Sequence, residues 1–233
     1  MTQSAIKWEK DADNIVTLTL DDPTQSANTM NALYQKSMGE TVARLQAEKA
    51  SIAGVIVTSG KKTFFAGGDL DLLMQVTPAH ADELQKGLNE LNGQLRALET
   101  LGKPVVSCLG GAALGGGWEV ALVGHHRVAV NDRKIQFGLP EITLGLIPGA
   151  TGITKMVRLL GLMGAQPYIL ESKLFNPAEA LELGLVHELV PDAAALRPAA
   201  LAFIAAHPQS HQPWDDKAYK IPGGPPSNPK LAG

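Results

Sequence analysis

The sequence predicts an α/β fold, and three observations carry that expectation. Short apolar runs of strand length recur along the chain, stretches with helical apolar spacing separate them, and loops rich in small residues join the two. At 233 residues the chain is long enough to bury one sizeable core without a disulfide or metal staple. Hydrophobic residues make up 45% and charged residues only 18%, which argues against disorder and against a coiled coil. With 20 basic and 23 acidic residues the net charge is -3, and no basic cluster exceeds Lys61-Lys62. Duplex nucleic acid is therefore not an expected partner, whereas a small anionic ligand is compatible.

The elements follow in order. From Ile15 to Leu20, "IVTLTL" alternates apolar residues with Thr and stops at "DDP", the pattern of a half-buried strand entering a turn. Met30 to Leu45 carries Leu33, Met38, Val42 and Leu45 at helical spacing, and the continuous apolar run Gly54 to Ser59 suits a strand covered on both faces. A glycine loop at Phe65 to Asp69 leads to a helical stretch from about Ala79 to Leu101. The strand "PVVSCL" comes next, and a second glycine loop runs into a helix at Gly115 to Val123. Beyond it, "HHRVAVND" reads as a strand and "IQFGLPEITLGLIPGATG" as a Gly/Pro-punctuated loop with a short helical turn. "TKMVRLLG" and "PAEALELGLV" read as helices, and the core is expected to end near Val190. Ala193 to Ala206 is an Ala-rich helix candidate. The organisation expected is a domain over 1–206 and a Pro/Gly-rich strap or linker over 207–233.

The first residues contain no apolar h-region, and no run of about eighteen apolar residues occurs, so no membrane span and a soluble, cytoplasmic chain are expected. Cys108, the single cysteine, lies in an apolar run and reads as core filler in a reducing compartment.

The glycine loops invite nucleotide-binding readings, which their spacing refutes. "GVIVTSGKKT" has five residues between its glycines and Lys62 where a phosphate-binding loop needs a hydroxyl. Neither "FAGGD" nor "GGAALGGG" has the G-x-G-x-x-G spacing of a dinucleotide site, and no G-x-S-x-G is present. Both loops do place small residues between a strand and a helix, at Ala66, Gly67 and Gly68 and at Gly115, Gly116 and Gly117. The first N–H groups of such a helix are unobstructed and favour an anion. If the loops lie side by side, one N–H from each could converge on a carbonyl oxygen and stabilise charge developing there. The competing explanation is that the glycines serve only tight turns and close packing.

Two carboxylates lie near the second loop. Glu119 sits in the first turn of the helix opened by the triple glycine, and Glu141 follows Pro140; both are flanked by apolar residues. Desolvation raises a glutamate pKa and a nearby carboxylate raises it further, so such a pair can hold one proton at neutral pH and divide acid and base work. The alternative is that Glu119 complements the helix dipole and Glu141 caps a turn.

From Ile15 to Pro191, the segments "IVTLTLDDP", "NTMNAL", "FFAGGDL", "LGKPVVSCLGGAALGGGWEVAL", "QFGLPEITLGLIPGATG" and "FNPAEALELGLVHELVP" together resemble the crotonase, or enoyl-CoA hydratase/isomerase, superfamily. The resemblance implies stacked ββα turns forming two nearly perpendicular sheets wrapped by helices. It further implies that the N–H groups of Gly68 and Gly116 form an oxyanion hole, and that the Ala66 carbonyl accepts from the adenine amino group of coenzyme A. Glu119 and Glu141 fall where family hydratases carry two glutamates, which implies hydration of a trans-2-enoyl-CoA in fatty-acid β-oxidation. Coenzyme A is then part of the substrate, and neither a metal nor a separate cofactor is expected. Neighbouring His125 and His126 should face opposite ways on their strand, and a zinc site there or at His207 and His211 lacks ligands.

Family members usually continue past "GLVHELVP" with helices that cover the acyl pocket, and these are not expected here. The tail is similar to the segment after the hydratase domain of multifunctional fatty-acid oxidation α-subunits. A homotrimer or hexamer, or a place in such a complex, is the implied assembly. Two other functions stay open: a Δ3-Δ2 enoyl-CoA isomerase in which Glu141 alone shuttles the proton, and a non-catalytic subunit that binds acyl-CoA or a partner chain. Trp118 is expected either to narrow the pocket or to pack behind its helix.

Overall fold

The computed structural model describes residues 3–225 and 227–228. Six strands form its main sheet: in spatial order, β1 (Ile6–Lys10), β2 (Ile15–Leu20), β3 (Gly54–Ser59), β4 (Val105–Leu109), β6 (His126–Val130) and β8 (Glu188–Val190). The last five run parallel, and β1 pairs antiparallel to β2 at one edge. The Gly54–Ser59 run is buried over its first four residues and β4 throughout, as continuous apolar strands of a parallel sheet must be.

Between β2 and β3 lies α1 (Ala32–Glu48), started by Asn31, whose side chain accepts from the Tyr34 N–H at 2.8 Å. β3 leads through the short α2 (Leu70–Leu73) to α3 (Ala81–Glu99), and β4 leads to α4 (Gly116–Ala121). A second, small sheet crosses these connections. Its β5 (Ala113–Leu114) pairs with β7 (Phe137–Gly138), and single bridges Met30↔Gly68, Phe65↔Ala113 and Phe137↔Phe175 extend it. α5 (Gly152–Leu170) is two helices joined across Gly161, α6 (Pro177–Glu182) starts on an Asn176/Glu179 capping box, and α7 (Leu196–Ala206) is the last α-helix among the described residues.

The core does not end near Val190, as the sequence reading expected. Leu196, Ala200 and Ile204 of α7 are buried against Ile15, Ile56, Val106, Cys108, Val128 and Val190, on the face of the main sheet away from the larger core. Cys108 is thus core filler, its thiol pushed up to about 12 by burial. The sequence reading also missed β1, an edge strand on which only Ile6 is buried, and β8, which lies just beyond the helix expected over residues 177–186.

Residues 207–225 follow the surface as a docked strap. Gln212 is buried and donates to Val123 O at 2.8 Å, Asp215 pairs with Arg96 of α3, and the Arg158 guanidinium stacks over Trp214. Among the described residues no helix is long and apolar enough to cross a membrane.

Candidate active site

The small sheet brings the two glycine loops together. Phe65 bridges to Ala113, the Leu114 N–H donates to Phe65 O at 3.1 Å, and Leu114 O lies 3.2 Å from where a Cβ on Gly67 would project. Gly67 has φ +102° and Gly115 φ +55°, backbone that an L side chain rarely adopts, so glycine is required at both turns. Gly68 is bridged to Met30, and the Met30 thioether occupies the space a side chain on Gly116 would need, 2.6 Å from its Cβ position. Among the described residues the N–H groups of Gly68 and Gly116 donate no hydrogen bond. Ala66 is exposed beside them, its N–H donating to Asn28 O while its carbonyl oxygen accepts no bond among the described residues.

Glu119 is carried by α4 and is 2% exposed. Its Oε1 accepts two backbone N–H bonds, from Ala150 at 2.8 Å and Gly152 at 2.6 Å. Burial raises its pKa to about 7; the two N–H donors and the Lys155 ammonium pull it down, and Glu141 pushes it further up. Glu141 opens the 3-10 turn Glu141–Leu144. Its Oε1 lies 2.6 Å from where a Cβ on Gly115 would project, its Oε2 is buried with no hydrogen-bond partner among the described residues, and burial raises its pKa as well. All five residues singled out from the sequence therefore lie around the junction of the two loops. Glu119, with its pKa raised to about 7, and Glu141, raised by burial, beside N–H groups that donate no hydrogen bond among the described residues, can take up and return a proton while charge develops on a bound oxygen.

Trp118 faces away from this junction. It is fully buried, stacked on Phe137 at 5.2 Å and edge-on to Phe175, and its indole N–H points to the Met156 sulfur at 3.4 Å. Packing, not narrowing of the pocket, is its role. The histidines are likewise occupied: His125 Nδ1 accepts from the Val105 N–H and its Nε2 donates to Glu99 O, while His126 stacks on Phe203 and His187.

The sequence reading passed over one feature of the site. Lys155 of α5 and Glu99 of α3 form an ion pair at 2.5 Å with side chains 4% and 3% exposed, within electrostatic reach of Glu119. The available signal was a charge on an apolar helical stripe, Glu99 lying four residues after Leu95.

Comparison with known proteins agrees with this architecture. The family model described as Enoyl-CoA hydratase/isomerase matches residues 10–211. The chain belongs to the enoyl-CoA hydratase/isomerase family. Among curated relatives, the fatty acid oxidation complex subunit alpha of Shewanella loihica is 39% identical over 197 residues, covering 83% of this chain and 27% of the relative. That of Aliivibrio fischeri is 35% identical over 189 residues, covering 81% and 27%. The chain thus spans about a quarter of the length of these relatives. Among solved structures, Bacillus anthracis enoyl-CoA hydratase superposes with TM-score 0.77 at 26% identity, covering 87% of this chain and 76% of that one. Pseudomonas aeruginosa DspI gives 0.76 at 28%, covering 87% and 79%. The fold is the crotonase fold.

Proposed function

We propose that the chain is an enoyl-CoA hydratase, adding water across the 2,3-double bond of a trans-2-enoyl-CoA. The observation that carries this reading is the pair of carboxyls with raised pKa values, buried Glu119 and half-buried Glu141, at the junction of the glycine loops. One carboxylate takes a proton from water as its oxygen bonds to C3, and the C2–C3 π electrons move onto the thioester oxygen. The N–H groups of Gly68 and Gly116 hold that enolate, a donor pair of a kind in which losing one typically costs roughly 3 kcal/mol of barrier. The protonated partner then delivers a proton to C2, which restores the thioester. The Ala66 carbonyl is the candidate acceptor for the adenine amino group.

These steps call for no metal and no cofactor beyond the coenzyme A of the substrate. The likeness to fatty acid oxidation α-subunits supports a place in β-oxidation; a cytoplasmic location and assembly as a homotrimer or hexamer, or within a multifunctional complex, complete the proposal.

The test is loss of the conjugated thioester absorbance of crotonoyl-CoA. Rapid loss is expected in the parent, with kcat reduced at least a hundredfold, about 2.7 kcal/mol, in both Glu119→Gln and Glu141→Gln. An isomerase using Glu141 alone would convert a 3-enoyl-CoA and tolerate Glu119→Gln, and that result would overturn the hydratase reading.

A further inference from the structure

Glu119 is held by a strained turn. Thr151, at φ +77°, is a β-branched residue in the left-handed region, and its hydroxyl is buried with no hydrogen-bond partner among the described residues. It lies between Ala150 and Gly152, the two residues whose N–H groups meet on Glu119 Oε1, while Oε2 accepts no bond among the described residues. A backbone in that region persists only where its surroundings fix it.

Lys155 supplies the fixing. It is one helical turn beyond Thr151, to whose carbonyl its N–H donates at 3.0 Å. Its ammonium is buried on Glu99 at 2.5 Å. Glu99 is in turn bound by Arg96 at 2.9 Å, and Arg96 by Asp215 of the strap, so the clamp is anchored in α3 and in the C-terminal segment. We propose that Lys155, locked on Glu99, is a positioning residue: it clamps the 150–152 turn so that both N–H groups stay on Oε1 of Glu119 and the other oxygen stays available to the reacting water. This inference rests on the hydratase reading.

The charged groups around the clamp fix the sign of its effect. Glu119 is faced by Glu141 from the turn after β7 and by Lys155 from α5; Lys155 is faced by Glu99 from α3, by Glu119 from α4 and by Arg127 from β6. Lys155 is the cation acting on Glu119, so removing it, and with it the two N–H donors it aligns, destabilises the carboxylate and moves its titration to higher pH.

The test uses the full chain carrying Lys155→Met with Glu99→Gln, which removes both charges together and leaves no lone ion of the pair buried. Two readouts are taken: kcat and KM with crotonoyl-CoA, and the 13C titration of the glutamate carboxyl signal that disappears in Glu119→Gln. The clamp requires a fall in kcat of at least about tenfold with KM changed less than threefold, and a Glu119 midpoint above that of the parent. A folded double variant with parental kcat and parental midpoint would overturn it. If the double variant does not fold, Lys155→Gln alone, which removes the cation while Glu99 keeps its Arg96 partner, must show both changes in the same direction; parental values there overturn the proposal equally. The titration needs no turnover. A parent that hydrates nothing refutes the functional reading, and an unmoved midpoint refutes the clamp.

Discussion

Glu119 is stored at a cost to the fold, and the sign of that cost can be worked out. Its pKa rises from the ordinary 4.5 to about 7 on burial, so the native chain holds this proton more tightly than the unfolded chain. The tighter hold contributes stability that is fully present below about pH 4.5 and is lost as pH rises from there through about 7. The full shift corresponds to on the order of 3 kcal/mol. Glu119→Gln keeps an oxygen for the Ala150 and Gly152 N–H groups without the charge, so it should raise the urea midpoint at pH 8 and have little effect at pH 4. A variant no more stable than the parent at pH 8 would show that the carboxylate is not held against burial. Trp118→Ala should act in the opposite direction, by about 3–5 kcal/mol, because it empties the stack between Phe137 and Phe175. Both carboxylates and the glycines were legible in the sequence, because acidic residues set among apolar ones and paired glycine runs are local signals. The Lys155–Glu99 pair was not, since nothing local says that α3 and α5 meet near α4.

The elements show where local pattern sufficed and where it did not. Strands β2, β3 and β4 are legible nearly to the residue, β3 and β4 because parallel strands buried on both faces are continuous apolar runs, β2 because its threonines alternate with apolar residues. β1 and β8 escape notice because edge strands of five and three residues carry too little burial to show a period. In sequence the strap looks equally like a linker, since its prolines remove periodicity, yet its anchoring comes from single tertiary contacts. Gln212→Ala leaves the buried Val123 carbonyl without its donor and should lower stability by about 1–3 kcal/mol, read as a drop in the urea midpoint. Gly117→Ala should be more damaging than Gly116→Ala. A Cβ on Gly117 meets the Phe65 backbone carbonyl, which cannot move without parting the two loops, whereas one on Gly116 meets the flexible end of Met30. Equal melting temperatures for the two variants would contradict that ordering.

At the scale of the molecule, the main sheet and its α7 layer form the base, and the small sheet is the device that aligns chemistry from distant parts of the sequence. Met30 and the segments 65–68, 113–116 and 137–141 are separated by tens of residues and are brought together by a handful of bridges. The alternation of strands and helices was legible in the residue pattern, whereas this cross-connection was expected only from the family resemblance, because two-residue strands leave no pattern. In the proposed reaction its consequence is that the two carboxyls and the two N–H groups act on one substrate and one water. The direct test is to convert crotonoyl-CoA in 18O-labelled water and locate the label by mass spectrometry. The account predicts one labelled oxygen at C3 of the product, formed by the parent chain and lost in Glu119→Gln and in Glu141→Gln. A product without label, or labelled product undiminished when either glutamate is replaced, would contradict it.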